Sequence, residues 1–102
     1  MGLTVDKEKT SNGLVIRVQG EVDLYSSPEL RKVILKAIPS AGVDLAIDLS
    51  GVTYIDSSGV ATLVEGLRSA RENGIGFALA APSPAVMQVL ELARLDSVFE
   101  VR

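Results

Sequence analysis

The chain contains no cysteine and no histidine. Their absence excludes disulfide bonds, thiolate nucleophiles, Ser-His-Asp triads and zinc sites built from these two residue types. General acid–base chemistry would therefore fall to carboxylates, lysine or tyrosine. The lack of cysteine also suits a reducing compartment such as the cytoplasm. The composition predicts a protein that is not an enzyme and that needs no metal or cofactor.

Basic charge and long apolar runs are also scarce. Lys and Arg together number 10 against 13 Asp and Glu, which gives a net charge of −3. A nucleic-acid partner requires a basic surface, so direct binding to DNA or RNA is not expected. No apolar run approaches the roughly 20 residues of a membrane span, and the N-terminus lacks the layout of a signal peptide. We expect one domain, residues 1–102, located in the cytoplasm and not inserted in a membrane.

The hydrophobic pattern of the chain predicts five strands. They are residues 3–9, 14–19, 43–49, 75–81 and 97–101, with a further short extended run at 52–55. Ser11-Asn12-Gly13 predicts a hairpin turn, so the first two strands should pair antiparallel. Gly20 is expected to break the second strand, and Ser50-Gly51 to turn the chain after the third.

Three helices are predicted from caps and apolar stripes. Ser27 and Pro28 fit the N-cap and first residue of the first helix, and Ser83 and Pro84 fit those of the third. The second helix opens within residues 56–59. The resulting order, β-β-α-β-α-β-α-β, predicts an α/β fold with a mixed, mostly parallel sheet of four to five strands and about three helices.

The most informative segment is Asp-Ser-Ser-Gly at residues 56–59, where an extended run gives way to an amphipathic helix. The first amides of a helix have no partner within the helix, and the helix dipole is positive there. A phosphate is well held at such a point. Ser57 at the N-cap would be an exposed hydroxyl whose phosphorylated form the helix stabilises, with Asp56 as the second candidate for the cap.

Three stretches together resemble a known family. Residues 47–74 contain an apolar-Asp-Leu strand, filled by Asp48-Leu49, and then Asp-Ser-Ser-Gly and an amphipathic helix. Residues 20–23 form a Gly-Glu-apolar-Asp turn, and residues 83–86 begin the third helix, with Leu90 and Leu95 after them. This pattern is similar to the signature of the STAS family, whose fold has the same order of elements.

The resemblance implies an anti-sigma factor antagonist, a module of a bacterial partner-switching cascade that regulates transcription. The serine directly after the motif's aspartate, Ser57 here, would be the phosphorylation site. The implied partners are a GHKL-type serine kinase, which acts as the anti-sigma factor, and a phosphatase that resets the switch. The implied partner-binding residues are Asp23, Asp56, Ser57, Ser58, Gly59 and Val60.

Plainer roles are open for several of these residues. Asp23 is interpreted as a turn residue whose carboxylate accepts hydrogen bonds from nearby backbone amides. Asp56 would orient Ser57 or pair with the partner protein. Ser58 is interpreted as a residue with a structural role. Gly59 costs helix stability, which either the close approach of another backbone or a loosely wound start to the helix would explain.

Two departures from the family pattern keep other functions open. Residues 60–63 read Val-Ala-Thr-Leu where many antagonists have an apolar-Gly-apolar run, and the chain stops after its last strand, without the fourth helix that many antagonists carry. The alternative is a small cytoplasmic STAS subunit that binds the ATPase of an Mla-type lipid-transport ABC system. A nucleotide-binding protein is a third hypothesis, but the sequence has no phosphate-binding loop.

Overall fold

A computed structural model describes residues 2–102. Within that range, five strands and three α-helices follow the order predicted from the sequence. The strands are β1 Leu3–Lys9, β2 Gly13–Val22, β3 Asp44–Ile55, β4 Gly76–Ala80 and β5 Glu100–Val101. The helices are α1 Ser27–Ala37, α2 Ser57–Glu72 and α3 Pro84–Leu92, with a 3₁₀ turn at Ile38–Ser40 after α1.

The strands form one sheet in the order β1-β2-β3-β4-β5. β1 is antiparallel to β2, and the other neighbours are parallel, which confirms the predicted mixed sheet. Thr10 and Gly13 exchange backbone hydrogen bonds of 2.9 and 3.4 Å across the hairpin. A Cβ atom on Gly13 would lie 1.9 Å from the Asp44 carbonyl oxygen, so glycine is required here by the approach of β3.

Two predicted strand breaks are wrong, because both fall where the pairing between β2 and β3 is irregular. Gly20 has a φ of +106° but lies inside β2, which continues to Val22. Ser50-Gly51 lies inside β3, where the register with β2 shifts because β3 has one residue more than β2 at this point. Such bulges use the same residue types as turns, so the sequence pattern alone does not separate the two. The predicted last strand, 97–101, is reduced to Glu100–Val101.

One hydrophobic cluster joins the sheet to α1, α2 and α3. The strands supply side chains from a single face, namely Leu14, Ile16, Leu45, Ile47, Phe77 and Leu79. The helices supply Leu30, Ile34, Leu63, Leu67, Val86 and Leu90. Crossovers between parallel strands are right-handed, and β2 to β5 follow chain order, so the three helices cover the same face. Among residues 2–102, no helix has the length and apolar character needed to cross a bilayer.

The opposite face of the sheet, here called the open face, carries charged side chains such as Arg17, Asp44 and Asp48, which alternate with the core residues. Arg17 forms ion pairs with Glu8 and, at 3.6 Å, with Asp48. Arg102 forms a two-pronged pair with Asp44, with both hydrogen bonds at 2.8 Å. Because β4 lies between β3 and β5, the Arg102–Asp44 pair crosses β4.

Candidate functional site

The candidate site lies at the edge of the sheet where β2 and β3 end. Val22 and Ile55 are paired in register, and Asp23 and Asp56 follow them directly. The Asp56 amide donates a hydrogen bond of 3.2 Å to the Val22 carbonyl. The carboxyl ends of parallel strands share one edge of a sheet, so the predicted residues of two distant segments meet here.

Asp56, and not Ser57, is the N-cap of α2. Its backbone is extended, and its Oδ1 accepts hydrogen bonds from the amides of Ser58 and Gly59 at 3.0 and 3.3 Å. The Ser58 hydroxyl donates a further bond of 2.5 Å to the same oxygen. This hydroxyl is the largest cause that lowers the pKa of Asp56, with smaller contributions from the Gly59, Ser58 and Leu24 amides. The carboxylate is therefore ionised at neutral pH and fixes the start of the helix.

Ser57 is the first residue of α2, and its side chain is exposed. Its hydroxyl makes no hydrogen bond to any residue in the range 2–102. Of the helix amides expected to be free for a phosphate, those of Ser58 and Gly59 are bonded by Asp56 Oδ1, and that of Val60 is bonded by the Asp56 carbonyl at 3.1 Å. Among these first four amides, that of Ser57 alone makes no hydrogen bond within residues 2–102. A phosphate on Ser57 would also lie beside an ionised carboxylate.

Asp23 forms a tight turn before α1. Its Oδ1 accepts hydrogen bonds of 2.9 Å from the amides of Tyr25 and Ser26. These amides, that of Ser26 first, lower the pKa of Asp23, while nearby Asp56 acts in the opposite direction. The turn-forming interpretation of Asp23 fits this geometry. Ser26 rather than the predicted Ser27 is the N-cap of α1, and its hydroxyl donates a 2.8 Å bond to the Glu21 carbonyl.

Gly59 and Val60 lie largely below the surface. Gly59 is buried, and a Cβ atom there would lie 2.7 Å from Cγ1 of both Val22 and Ile55. Packing inside the protein therefore accounts for this glycine without the backbone of a partner. Val60 is 7% exposed and lines a groove beside α2. Of the six partner-binding residues predicted from the sequence, Ser57 has the most exposed side chain.

Two surface features beside the site were missed by the sequence reasoning. Leu24, Tyr25 and Tyr54 are 67%, 89% and 49% exposed, respectively, and flank the paired ends of β2 and β3. For Leu24 and Tyr25 the sequence did contain a signal, because apolar side chains are not required by a turn and lie here between Asp23 and Ser26.

The second feature is a groove of about 450 Å³ along α2. Ser57 lies at one end and Arg68 at the other, with Val60, Ala61, Val64 and Leu95 in the wall. Leu95 follows α3, so no pattern within α2 could have located this wall.

The chain is similar to anti-sigma factor antagonists over almost its whole length. The anti-sigma-B factor antagonist of Bacillus subtilis is 29% identical over 99% of this chain and 92% of its own length. An anti-sigma factor antagonist from Mycobacterium paratuberculosis has a crystal structure that matches with a TM-score of 0.89 and 28% identity, over 98% of this chain and 85% of that one. The unphosphorylated form of the antagonist SpoIIAA matches with a TM-score of 0.80 and 25% identity, over 97% and 88% of the two chains.

A family model also matches the chain. Its description is "Mlab, STAS domain", and it covers residues 5–100, which include most of β1, all of β2 to β4, all three helices and the candidate site. The resemblance identified from the motifs at 20–23 and 47–74 is thereby confirmed. The chain belongs to the STAS domain family.

Proposed function

We propose that this protein is an anti-sigma factor antagonist, a binding module in a partner-switching cascade that regulates transcription. Relatives that bear this name align with 99–100% of the chain at 27–29% identity. The observation that carries the proposal is the exposed Ser57 hydroxyl, which stands at the start of α2 without a hydrogen bond to residues 2–102. A cascade of this kind places the protein in the cytoplasm.

Ser57 is the proposed phosphorylation site. Transfer of the γ-phosphate of ATP to its Oγ releases ADP, and the hydroxyl proton leaves to a base. Hydrogen bonds lower the pKa of both Asp56 and Asp23, which makes them weak bases, so we assign the base to the kinase. The proposed kinase is the anti-sigma factor itself, of the GHKL type, and a phosphatase reverses the step.

The effect of the phosphate is electrostatic and is exerted on the partner. It adds a charge of about −1.5 to −2 at neutral pH. Asp56 and Asp23 are already ionised there, because hydrogen bonds lower the pKa of each. The amides of Ser58 and Gly59 are already bonded to Asp56, so a third negative group gains less from the start of the helix than it would from free amides. Covering this charge with a partner requires its desolvation, which opposes binding.

The proposed docking face consists of Leu24, Tyr25, Tyr54, Ser57 and Ala61, all of which are exposed. Aromatic residues are enriched in the buried centres of protein interfaces, where they contribute much of the binding energy. Their position around the end of β2 and β3 puts Ser57 within the area that a partner would cover. Asp23, Asp56 and Ser58 support this face by shaping its turns.

The test is phosphorylation by the anti-sigma factor of the same organism with ATP, followed by mass spectrometry of the peptides. We expect one phosphate, on Ser57. The Ser57→Ala variant should accept none, and the matched Ser58→Ala variant should be phosphorylated like the wild type. Phosphate on another residue, or on none, would contradict the proposal.

The alternative, an Mla-type subunit that binds the ATPase of a lipid-transport system, is not favoured. The family description includes Mlab, but the full-length relatives are named anti-sigma-B factor antagonists. Co-purification separates the two functions. Recovery of a transporter ATPase, with no kinase, would reverse this preference.

A further inference from the structure

We propose that the groove along α2 binds an amphipathic segment of the anti-sigma factor, with apolar side chains against Leu95 and one carboxylate paired with Arg68. This inference rests on the proposed function and extends its docking face along the helix. The wall residues Val60, Ala61 and Val64 provide the apolar surface.

The dimensions of the groove fit a short segment. Ser57 and Arg68 are 11 residues apart on α2, which corresponds to roughly 16 Å along the axis. About three turns of a partner helix have the same length. The groove starts at Ser57, so it is continuous with the docking face.

The C-terminal end of α3 positions Leu95 in the wall of the groove. Arg94 has a φ of +59°, a left-handed conformation that residues other than glycine adopt at a cost. The Leu95 amide donates a 2.8 Å bond to the Leu90 carbonyl, and the Arg94 amide a 3.0 Å bond to that of Glu91. This is a Schellman motif, and it turns the chain so that Leu95 lies against α2. The wall is therefore fixed before a partner arrives.

The charge at the far end of the groove selects the partner's chemistry. Glu65, also in the groove, is paired with Arg31 through bonds of 2.8 and 2.6 Å. Arg68 has no carboxylate within 4.0 Å among residues 2–102. Arg68 also attracts the Glu65 carboxylate, but Arg31 already neutralises that carboxylate, so this end of the groove carries a net positive charge. An acidic side chain of the partner is attracted to it, and a basic one is repelled.

The test compares two charge reversals on the same helix by isothermal titration calorimetry against the anti-sigma factor. Arg68→Glu should weaken binding about tenfold or more, because it places like charges together. Arg71→Glu is the matched control, since Arg71 is exposed on α2 but does not line the groove. It should stay within about twofold of the wild type. Thermal unfolding of both variants verifies that the fold is retained.

Ser57→Asp separates this inference from the proposed function. If Ser57→Asp weakens binding and Arg68→Glu does not, the groove proposal is overturned and the phosphorylation switch stands. If Ser57→Asp binds like the wild type, the switch itself is contradicted, whatever Arg68→Glu does. The two sites are farther apart than the screening length of about 8 Å, so their effects should add in the double variant. A groove that binds a second copy of this chain would appear as a dimer lost in Arg68→Glu, and would also overturn the proposal.

Discussion

At the scale of single residues, Asp56 determines where α2 begins and leaves Ser57 free. Its Oδ1 accepts two amides and the Ser58 hydroxyl, so the neighbouring Ser57 keeps an unbonded hydroxyl at the surface. The sequence pattern correctly placed the start of α2 within residues 56–59, but it assigned the N-cap to Ser57 instead of Asp56. Aspartate and serine are about equally good N-caps, so only the geometry assigns the cap to Asp56.

The first prediction concerns the acid dependence of this cap. The pKa of Asp56 lies below its ordinary value of 3.8 in the folded protein. A lowered pKa stabilises the fold above that value, and the stabilisation is lost as pH falls through the folded pKa. Asp56→Ala should therefore reduce the free energy of unfolding by about 1 kcal/mol at neutral pH and by less near pH 2. Urea unfolding at the two pH values measures the difference.

Asp96→Ala is the control, because Asp96 is exposed and its side chain accepts no hydrogen bond within residues 2–102. It should change stability by less than about 0.5 kcal/mol at either pH. An equal loss for Asp56→Ala at neutral and acid pH would argue against an ionised cap.

At the scale of helices and strands, the predictions from the sequence were most accurate where the local pattern fits only one kind of structure. β1, the hairpin and the start of α3 at Ser83-Pro84 lie where predicted, because alternation, turn residues and a capping serine agree there. β3 was predicted as two pieces, because Ser50-Gly51 satisfies a turn pattern as well as a bulge. Pairing with β2 decides between these, and pairing is not a local property.

The second prediction is that Arg94→Gly stabilises the protein. Glycine adopts the positive φ of this position without the steric cost that arginine carries. The unfolded chain gains freedom from the glycine, so the net increase should be roughly 0.5–1 kcal/mol. Ala93→Gly, at the preceding right-handed position, should instead destabilise. Denaturant unfolding of both variants checks the signs, and a less stable Arg94→Gly would contradict the argument from strain.

At the scale of the whole molecule, the three helices on one face leave the open face to be stabilised by ion pairs. The pair between Arg102 and Asp44 spans β4 where its residues are small. A Cβ atom on Gly76 would lie 2.7 Å from Asp44 Oδ1, and Ala78 is fully buried although it points away from the helices. The sequence predicted the order of the elements and the mixed, mostly parallel sheet, but not this bridge, because its partners are 58 residues apart.

The third prediction concerns this bridge. The side chains of Arg102 and Asp44 are 42% and 22% exposed, so solvent screens much of their attraction. Arg102→Ala should lower the free energy of unfolding by about 0.5–1 kcal/mol at low salt. The loss should shrink in about 1 M salt, where charges are screened within about 3 Å. Thermal unfolding at the two salt concentrations measures it. A loss that does not depend on salt would point to packing by the arginine stem instead.

The hairpin residues Ser11 and Asn12 precede β2, whereas the docking face follows it. The 10 residues of β2 separate the two ends of the sheet by roughly 30 Å. Because the chain has no cysteine, a Ser11→Cys variant would carry a single thiol for a fluorophore or a surface linker. Such a label stands at the far end of the molecule, so partner exchange at Ser57 could be followed in real time with the binding face unobstructed.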